Sequence, residues 1–241
     1  MNVAGERQSR QSGRGASNFD IDRDVLEAAP TQEGADVLTR APGLFIARTA
    51  GAAVAHRYML RGFDADHGQD IAFKVGGLPI NMPSHIHGQG YADLGFLIGE
   101  SVAELHVIEG VYDPRQGDFA VAGSIDVDLG SERRGWLLKS IYGSFNTFRQ
   151  LALWAPEGET EETFGAVSYN RSDGFGENRK SAGADAVFQV RLGEGDRWSY
   201  RGSGFLHGAR ASTAGVLRAD DVEAGRVGFY DVYPYATARG Q

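Results

Sequence analysis

The residues best suited to chemistry are three histidines in two neighbouring stretches. The segment "SHIHGQGYADL" spans residues 84–94 and places His85 and His87 two positions apart. On an extended backbone these two side chains point to the same side, and a pair of imidazoles can bind zinc or another transition metal. His67, in "DADHGQD", supplies a third candidate ligand. The sequence therefore predicts a metal site at His67, His85 and His87.

Metal-assisted hydrolysis is one reaction that such a site could support. Three ligands and an open position would activate a water molecule, so a metal-dependent hydrolase using His67, His85 and His87 is an alternative function. Histidines surrounded by Gly, Ser, Asn and Pro more often bond to loop backbone. The sequence has no HExxH, GxSxG, P-loop or GxGxxG motif. We therefore expect no catalytic residues, no cofactor and no enzymatic activity.

Composition excludes several classes of function. The 241-residue chain has no Cys, which rules out disulfides, thiolate metal sites and a cysteine nucleophile. Its formal net charge of -8 gives no overall basic character, so nucleic acid is not an expected partner. No apolar run approaches the ~20 residues of a spanning helix, and the first residues do not resemble a secretory signal. Taken alone, these features favour the cytoplasm.

Hydrophobic periodicity divides the chain into three parts. Residues 1–17 are polar and predict a flexible arm. Residues 18–130 predict an α+β unit of short elements, which include a helix capped by Thr31 and a hairpin that turns at Gly76-Gly77. Residues 131–241 predict successive antiparallel hairpins, each with one apolar and one polar face.

Two environments produce such alternation. A soluble β-rich binding module would place the apolar face inside, whereas an outer-membrane barrel would place it outside, against lipid. Alternation alone does not separate the two. Aromatic residues near the ends of the segments favour the membrane, because interfacial girdles have this composition: Trp136, Tyr142, Trp154, Trp198 and Tyr200.

Five segments between Val37 and Leu129 resemble, in order, the plug domain of TonB-dependent outer-membrane receptors. They are "DVLTRAPGLFI", "YMLRGFD", "IAFKVGGLPIN", "PSHIHGQGYADLGFLI" and "VAELHVIEGVYDPRQGDFAVAGSIDVDL". The next stretch, "SIYGSFNTFR", resembles the first barrel hairpin of such receptors. The resemblance implies an α+β plug domain at 18–130, followed by antiparallel β-hairpins of an incomplete outer-membrane β-barrel at 131–241.

The resemblance also implies a function and a set of site residues. The function is TonB-dependent transport of a scarce ligand, such as a siderophore or metal complex, across the outer membrane. The partners are the TonB energy-transducing complex, the ligand and outer-membrane lipid. Arg61 and Gly62 are expected to pack the plug against the barrel, with Arg61 paired to acids of the barrel interior. The ligand-facing plug loop is expected to consist of His67, Ser84, His85, His87, Gln89 and Tyr91.

The C-terminal part is short for a barrel. Residues 131–241 hold roughly five or six strands of about 9–11 residues each, and a closed barrel of this family needs many more. The resemblance therefore predicts an N-terminal fragment or a truncated receptor.

Overall fold

Two small sheets form the N-terminal half of the chain in the computed structural model, which describes residues 17–48, 54–195, 198–233 and 238–240. The predicted flexible arm lies outside the described residues apart from Ser17. One sheet has the order β1-β7-β8-β5-β6, in which β5 and β8 are parallel, and the other has the order β2-β3-β4. The strands are β1 Asn18–Asp22, β2 Leu44–Ala47, β3 Arg57–Leu60, β4 Phe63–Asp64, β5 Ile71–Val75, β6 Leu78–Pro79, β7 Val102–Glu109 and β8 Gly123–Leu129.

The helices of this half are short. They are α1 at Arg23–Glu27 and two 3-10 helices at Gly34–Arg40 and Gly99–Ser101. The prediction that Thr31 caps the helix at Gly34–Arg40 is wrong. Its N-cap is Glu33, whose side chain and backbone exchange hydrogen bonds with Asp36, a reciprocal pair that satisfies two free N–H groups at once. Among the described residues, no helix is both long and apolar enough to cross a membrane.

Two tight turns explain three glycine positions. Leu60 pairs with Phe63 across Arg61-Gly62, where φ is 50° and 84°. Val75 pairs with Leu78 across Gly76-Gly77, where φ is 58° and 83°. Two successive positive φ angles are the requirement of a type I′ hairpin turn, and glycine meets it at low cost. The predicted Gly76-Gly77 hairpin is confirmed.

The core lies between the sheets and the 3-10 helices. Ile125, Val127 and Leu129 alternate inward along β8 as predicted, and Phe73 of β5 is fully buried beside them. The Phe73 ring packs against Tyr58 with 4.9 Å between centroids. Burial of each such side chain contributes about 1.5–3 kcal/mol, so these strands supply much of the stability of the N-terminal half.

The C-terminal half is one antiparallel sheet. Its order is β14-β13-β12-β11-β10-β9, so each strand pairs with its neighbours in sequence. The strands are β9 Gly135–Gly143, β10 Thr147–Ala155, β11 Phe164–Ser172, β12 Ser181–Glu194, β13 Ser199–Thr213 and β14 Ala238–Gly240; helix α2, Ala219–Glu223, precedes β14. Within the described part of the chain the sheet is open, with β9 and β14 at its edges.

The buried face of this sheet lies against the N-terminal half and carries polar side chains together with apolar ones such as Leu151, Leu153 and Phe164. Gln189 is 1% exposed and donates to the backbone carbonyls of Leu129 and Glu162. Arg201 donates to the carbonyl of Gly76. The apolar face points away from the N-terminal half, and its exposed side chains include Trp136, Leu138, Val167, Phe188 and Leu206. The outward-facing side chains therefore match a sheet with an apolar outer surface.

Candidate functional site

The stretch that contains His85 and His87 is a closed loop held at its base. Met82 and Tyr91 form an isolated antiparallel bridge, with hydrogen bonds of 2.8 Å from Met82 N to Tyr91 O and from Gly90 N to Met82 O. The buried amide of Asn81 donates to the Gly90 carbonyl at 3.0 Å. We call residues 84–91 the histidine loop. These bonds fix its two ends against the core.

The three predicted histidines surround one tyrosine. The His85 ring stacks on Tyr91 with 3.9 Å between centroids, and the His67 ring lies 5.5 Å from Tyr91. His87 lies 5.0 Å from His67 and 6.0 Å from His85, also between centroids. His67 comes from a different turn of the chain, so the structure brings together side chains that are about twenty positions apart in sequence.

Hydrogen bonds determine which ring nitrogens are available. His67 Nδ1 lies 2.8 Å from the carbonyl of Ala55, so Nδ1 carries a proton and Nε2 is the ring nitrogen that this bond does not use. His85 Nδ1 accepts the backbone N–H of His87 at 3.1 Å. The Tyr91 hydroxyl accepts the N–H of Ala55, and burial raises the pKa of Tyr91 against that hydrogen bond. A histidine that donates one N–H to a carbonyl is arranged as metal-bound histidines usually are.

The geometry of the three histidines falls short of a preformed metal site. Their donor nitrogens do not all lie within 4.8 Å of one another. Within the described part of the chain, one group of three possible ligands meets that distance: Asp20, Glu104 and His106. Metal binding at His67, His85 and His87 stays a prediction.

The other predicted site residues lie at different places. Gln89 lines a narrow crevice together with His67, His87 and Tyr91, and Ser84 is exposed at the start of the histidine loop. Arg61 forms an ion pair with Glu109 of β7 at 3.4 Å. Among the described residues, Arg61 therefore pairs inside the N-terminal half, and the predicted pairing with an acid of the C-terminal sheet is not seen.

A buried ion pair, missed by the sequence analysis, joins the two halves of the chain. Arg149 of β10 donates two hydrogen bonds of 2.7 Å to Glu100, and both side chains are at most 7% exposed. Lys139 of β9 adds a contact of 3.2 Å to Glu100. Burial would raise the pKa of Glu100, but the hydrogen bonds and charge of Arg149 outweigh burial and lower it. No local pattern marks this pair, because its members are 49 positions apart.

Comparison with known proteins identifies the N-terminal half. Residues 10–124 match the family described as the TonB-dependent Receptor Plug Domain. This part of the chain is a TonB-dependent receptor plug domain. The resemblance drawn from the sequence is thereby confirmed. No curated protein matches the chain.

Solved structures show that the similarity extends beyond the plug. The copper transporter OprC is 19% identical with a TM-score of 0.59, covering 84% of this chain and 32% of that one. The ferric citrate transporter FecA is 16% identical with a TM-score of 0.65, and the match covers 91% of this chain and 35% of that one. The ferric yersiniabactin uptake receptor FyuA from Yersinia pestis is 16% identical with a TM-score of 0.61, and the match covers 86% of this chain and 34% of that one. This chain thus spans about a third of each. At these identities the comparison shows a shared fold.

The predicted fold class is confirmed by these comparisons together with the structure. An α+β plug is followed by antiparallel hairpins, which form an open sheet in the described residues. Buried polar side chains of that sheet, Arg149 and Gln189 among them, contact the plug, as inward-facing polar side chains of a plugged barrel do.

His106 occupies the polar face of the plug sheet between two carboxylates. Its Nδ1 lies 2.8 Å from Asp20 of β1, and its Nε2 lies 3.2 Å from Asp128 of β8. The bond to Asp128, opposed by burial and reinforced by Asp20 and Glu104, raises the pKa of His106 to about 9. Both nitrogens donate to carboxylates, so His106 is an imidazolium that joins three strands.

Replacing His106 by Gln is expected to remove a pH dependence of plug stability. The folded-state pKa of about 9 exceeds the ordinary value of 6.5, so the stabilisation is complete below pH 6.5 and is lost as the pH rises through 9. Because the partners are partly exposed, we expect a loss of roughly 1–3 kcal/mol over this range. Urea unfolding at a series of pH values measures it. An unchanged slope in the variant would contradict this assignment.

Proposed function

We propose that this chain is part of a receptor that transports a scarce metal ion or metal complex across the outer membrane, driven by the TonB energy-transducing complex. Residues 18–130 are the plug and residues 131–241 are the first strands of the barrel. The observation that carries the proposal is the outer face of the C-terminal sheet, which is apolar and exposed while the opposite face packs against the plug. An exposed apolar face of this kind is stable in contact with lipid.

Aromatic side chains mark both ends of the exposed face. Trp136 pairs with Trp154 across β9 and β10, with ring centroids 6.3 Å apart. At the other end of the same two strands Tyr142 pairs with Phe148, with centroids 5.0 Å apart. The two pairs stand six positions apart along the strand, about 20 Å. Aromatic pairs at both ends of an exposed apolar face are the composition of the interfacial girdles of an outer-membrane sheet.

The histidine loop is the proposed ligand-facing part of the plug. Ser84, His87 and Gln89 are exposed, and His67, His85 and Tyr91 lie behind them. Imidazoles and a phenol suit a metal ion or the polar groups of a metal complex. The similar solved structures include a copper transporter and a ferric citrate transporter, which supports cargo of this class.

We propose that the histidine loop binds this ligand and carries out no covalent chemistry. The similar structures named here are transporters and an uptake receptor. A soluble binding module is disfavoured because a continuous exposed face with Trp136, Leu138 and Phe188 would aggregate in water.

An uptake assay tests the proposed function. The whole receptor that contains this chain is expressed in a Gram-negative host that lacks its own copper and ferric citrate receptors, and accumulation of radioactive copper and iron is measured with and without functional TonB. We expect the protein in the detergent-extracted outer-membrane fraction and TonB-dependent accumulation of one of the two metals. The double variant His85→Gln/His87→Gln is expected to lower accumulation by roughly tenfold or more.

The matched control is His106→Gln, which removes an imidazole from another face of the plug and should leave uptake intact. Recovery of the protein in the soluble fraction, or accumulation that is the same without TonB, would refute the proposal.

A further inference from the structure

Five of the six histidines lie in the histidine loop, in the segments beside it or around one cavity behind it. The exposed His87 and its neighbour His85 lead to His67, and His67 bonds to the carbonyl of Ala55. The next residue in the chain is His56. It lines a cavity between the plug and the C-terminal sheet, and His207 of β13 lines the same cavity. We call this space the inner cavity; its polar lining includes Glu33, His56, Asp93, Arg149, Asp185 and His207.

His56 presents an unpartnered nitrogen in a buried place. The residue is 7% exposed, and its Nε2 lies 3.0 Å from Glu33 Oε2. Its Nδ1 is buried and has no hydrogen-bond partner among the described residues. A buried nitrogen without a partner is costly, and a ligand in the inner cavity would supply the partner.

His207 of β13 also has one ring nitrogen held by a carboxylate. Its Nδ1 lies 2.7 Å from Asp185 Oδ1, which leaves Nε2 for another partner. That nitrogen lies 3.3 Å from the point where a Cβ on Gly95 would stand, and Asp93 Oδ1 lies 3.0 Å from the same point. The missing side chain of Gly95 therefore lets His207 approach Asp93. Each histidine has one nitrogen held by a carboxylate, as in the carboxylate–histidine–metal arrangement.

Charge and size favour a cation in the inner cavity. Three carboxylates line it, and the guanidinium of Arg149 is already paired with Glu100. The cavity volume is about 30 Å³, whereas one water needs about 10–15 Å³. There is room for a single ion with at most one water, and none for an organic chelate.

We propose that the inner cavity binds a divalent transition-metal ion, such as zinc, through His56 Nδ1, His207 Nε2 and Asp93. Two imidazoles and a carboxylate are a common ligand set for such ions. The donor atoms do not all lie within 4.8 Å of one another, so the ion draws them together and links the plug to β13. We regard this ion as cargo that has passed the histidine loop, which rests on the proposed function. The binding of the ion in the inner cavity does not rest on that function.

Zinc titration of the purified full chain in detergent tests the inner site. Calorimetry is expected to show a site that is weakened at least about tenfold in His56→Gln and in His207→Gln. The same site persists in His85→Gln/His87→Gln and in the control His106→Gln. Asp185→Asn, a positioning variant, is expected to weaken it by about 10–100-fold. With Cu²⁺ as the probe, electron paramagnetic resonance should show two coordinated imidazoles in the wild type and one in either single variant.

Two results would overturn the inner site. One is the absence of zinc binding to the wild-type chain, and the other is wild-type binding in both His56→Gln and His207→Gln. If either variant fails to fold, as judged by tryptophan fluorescence, Asp93→Asn replaces it and must weaken the site. Intact TonB-dependent uptake without zinc binding rejects this inference alone, whereas intact zinc binding without uptake rejects the proposed function alone.

Discussion

Replacing Arg149 by Met is expected to destabilise the chain by about 3–5 kcal/mol. The substitution leaves the carboxylate of Glu100 buried without its two hydrogen bonds of 2.7 Å. Lys139 cannot take over, because its amine makes a single contact of 3.2 Å from a side chain that is 43% exposed. Urea unfolding in detergent micelles, followed by tryptophan fluorescence, measures the loss. Since the pair spans the plug and β10, the interface between the halves should open first.

The double variant Glu100→Gln/Arg149→Met separates the charge from the packing. It removes the unpaired charge, so most of the lost stability should return. Lys139→Met is the matched control and should cost no more than about 1 kcal/mol, as for an exposed pair. A cost for Arg149→Met as small as that for Lys139→Met would show that the buried pair does not hold the plug to the sheet.

Local patterns determine the parts of the fold that the sequence predicts. The Gly76-Gly77 turn and the inward alternation of Ile125, Val127 and Leu129 follow from backbone sterics and from a period of two. The cap at Glu33 was missed because Thr31 is the better capping type. The helix instead begins after Glu33, because Glu33 and Asp36 exchange hydrogen bonds through their side chains and backbone N–H groups.

Long-range contacts determine what the sequence could not predict. An alternating strand does not reveal which face is buried, so the orientation of the C-terminal sheet depended on where Gln189 and Arg201 meet the plug. His67, His85 and His87 were singled out by residue type, and the chain path brings them together. The roles of His56 and His207 were missed, because each depends on a carboxylate from elsewhere in the chain.

Replacing Asn81 by Leu is expected to destabilise the plug by roughly 2–5 kcal/mol and to loosen the histidine loop. The buried Asn81 amide accepts the N–H of Phe73 at 2.7 Å and donates to the carbonyls of Gly68, Ile71 and Gly90 at 3.1, 2.8 and 3.0 Å. Leucine fills a similar volume but satisfies none of these groups, and each buried polar group left unpaired costs about 1–3 kcal/mol. Urea unfolding of the full chain measures the change.

The location of the lost bonds gives this prediction a second readout. The bond to Gly90 holds one end of the histidine loop, whereas the bond to Phe73 lies in the core. Hydrogen exchange should therefore quicken at residues 82–91 before the core strands open. Gln89→Leu, which removes an exposed amide from the same loop, should change stability by no more than about 0.5 kcal/mol. If Asn81→Leu slowed exchange or left it unchanged in the loop, the loop would be held by its Met82–Tyr91 bridge alone.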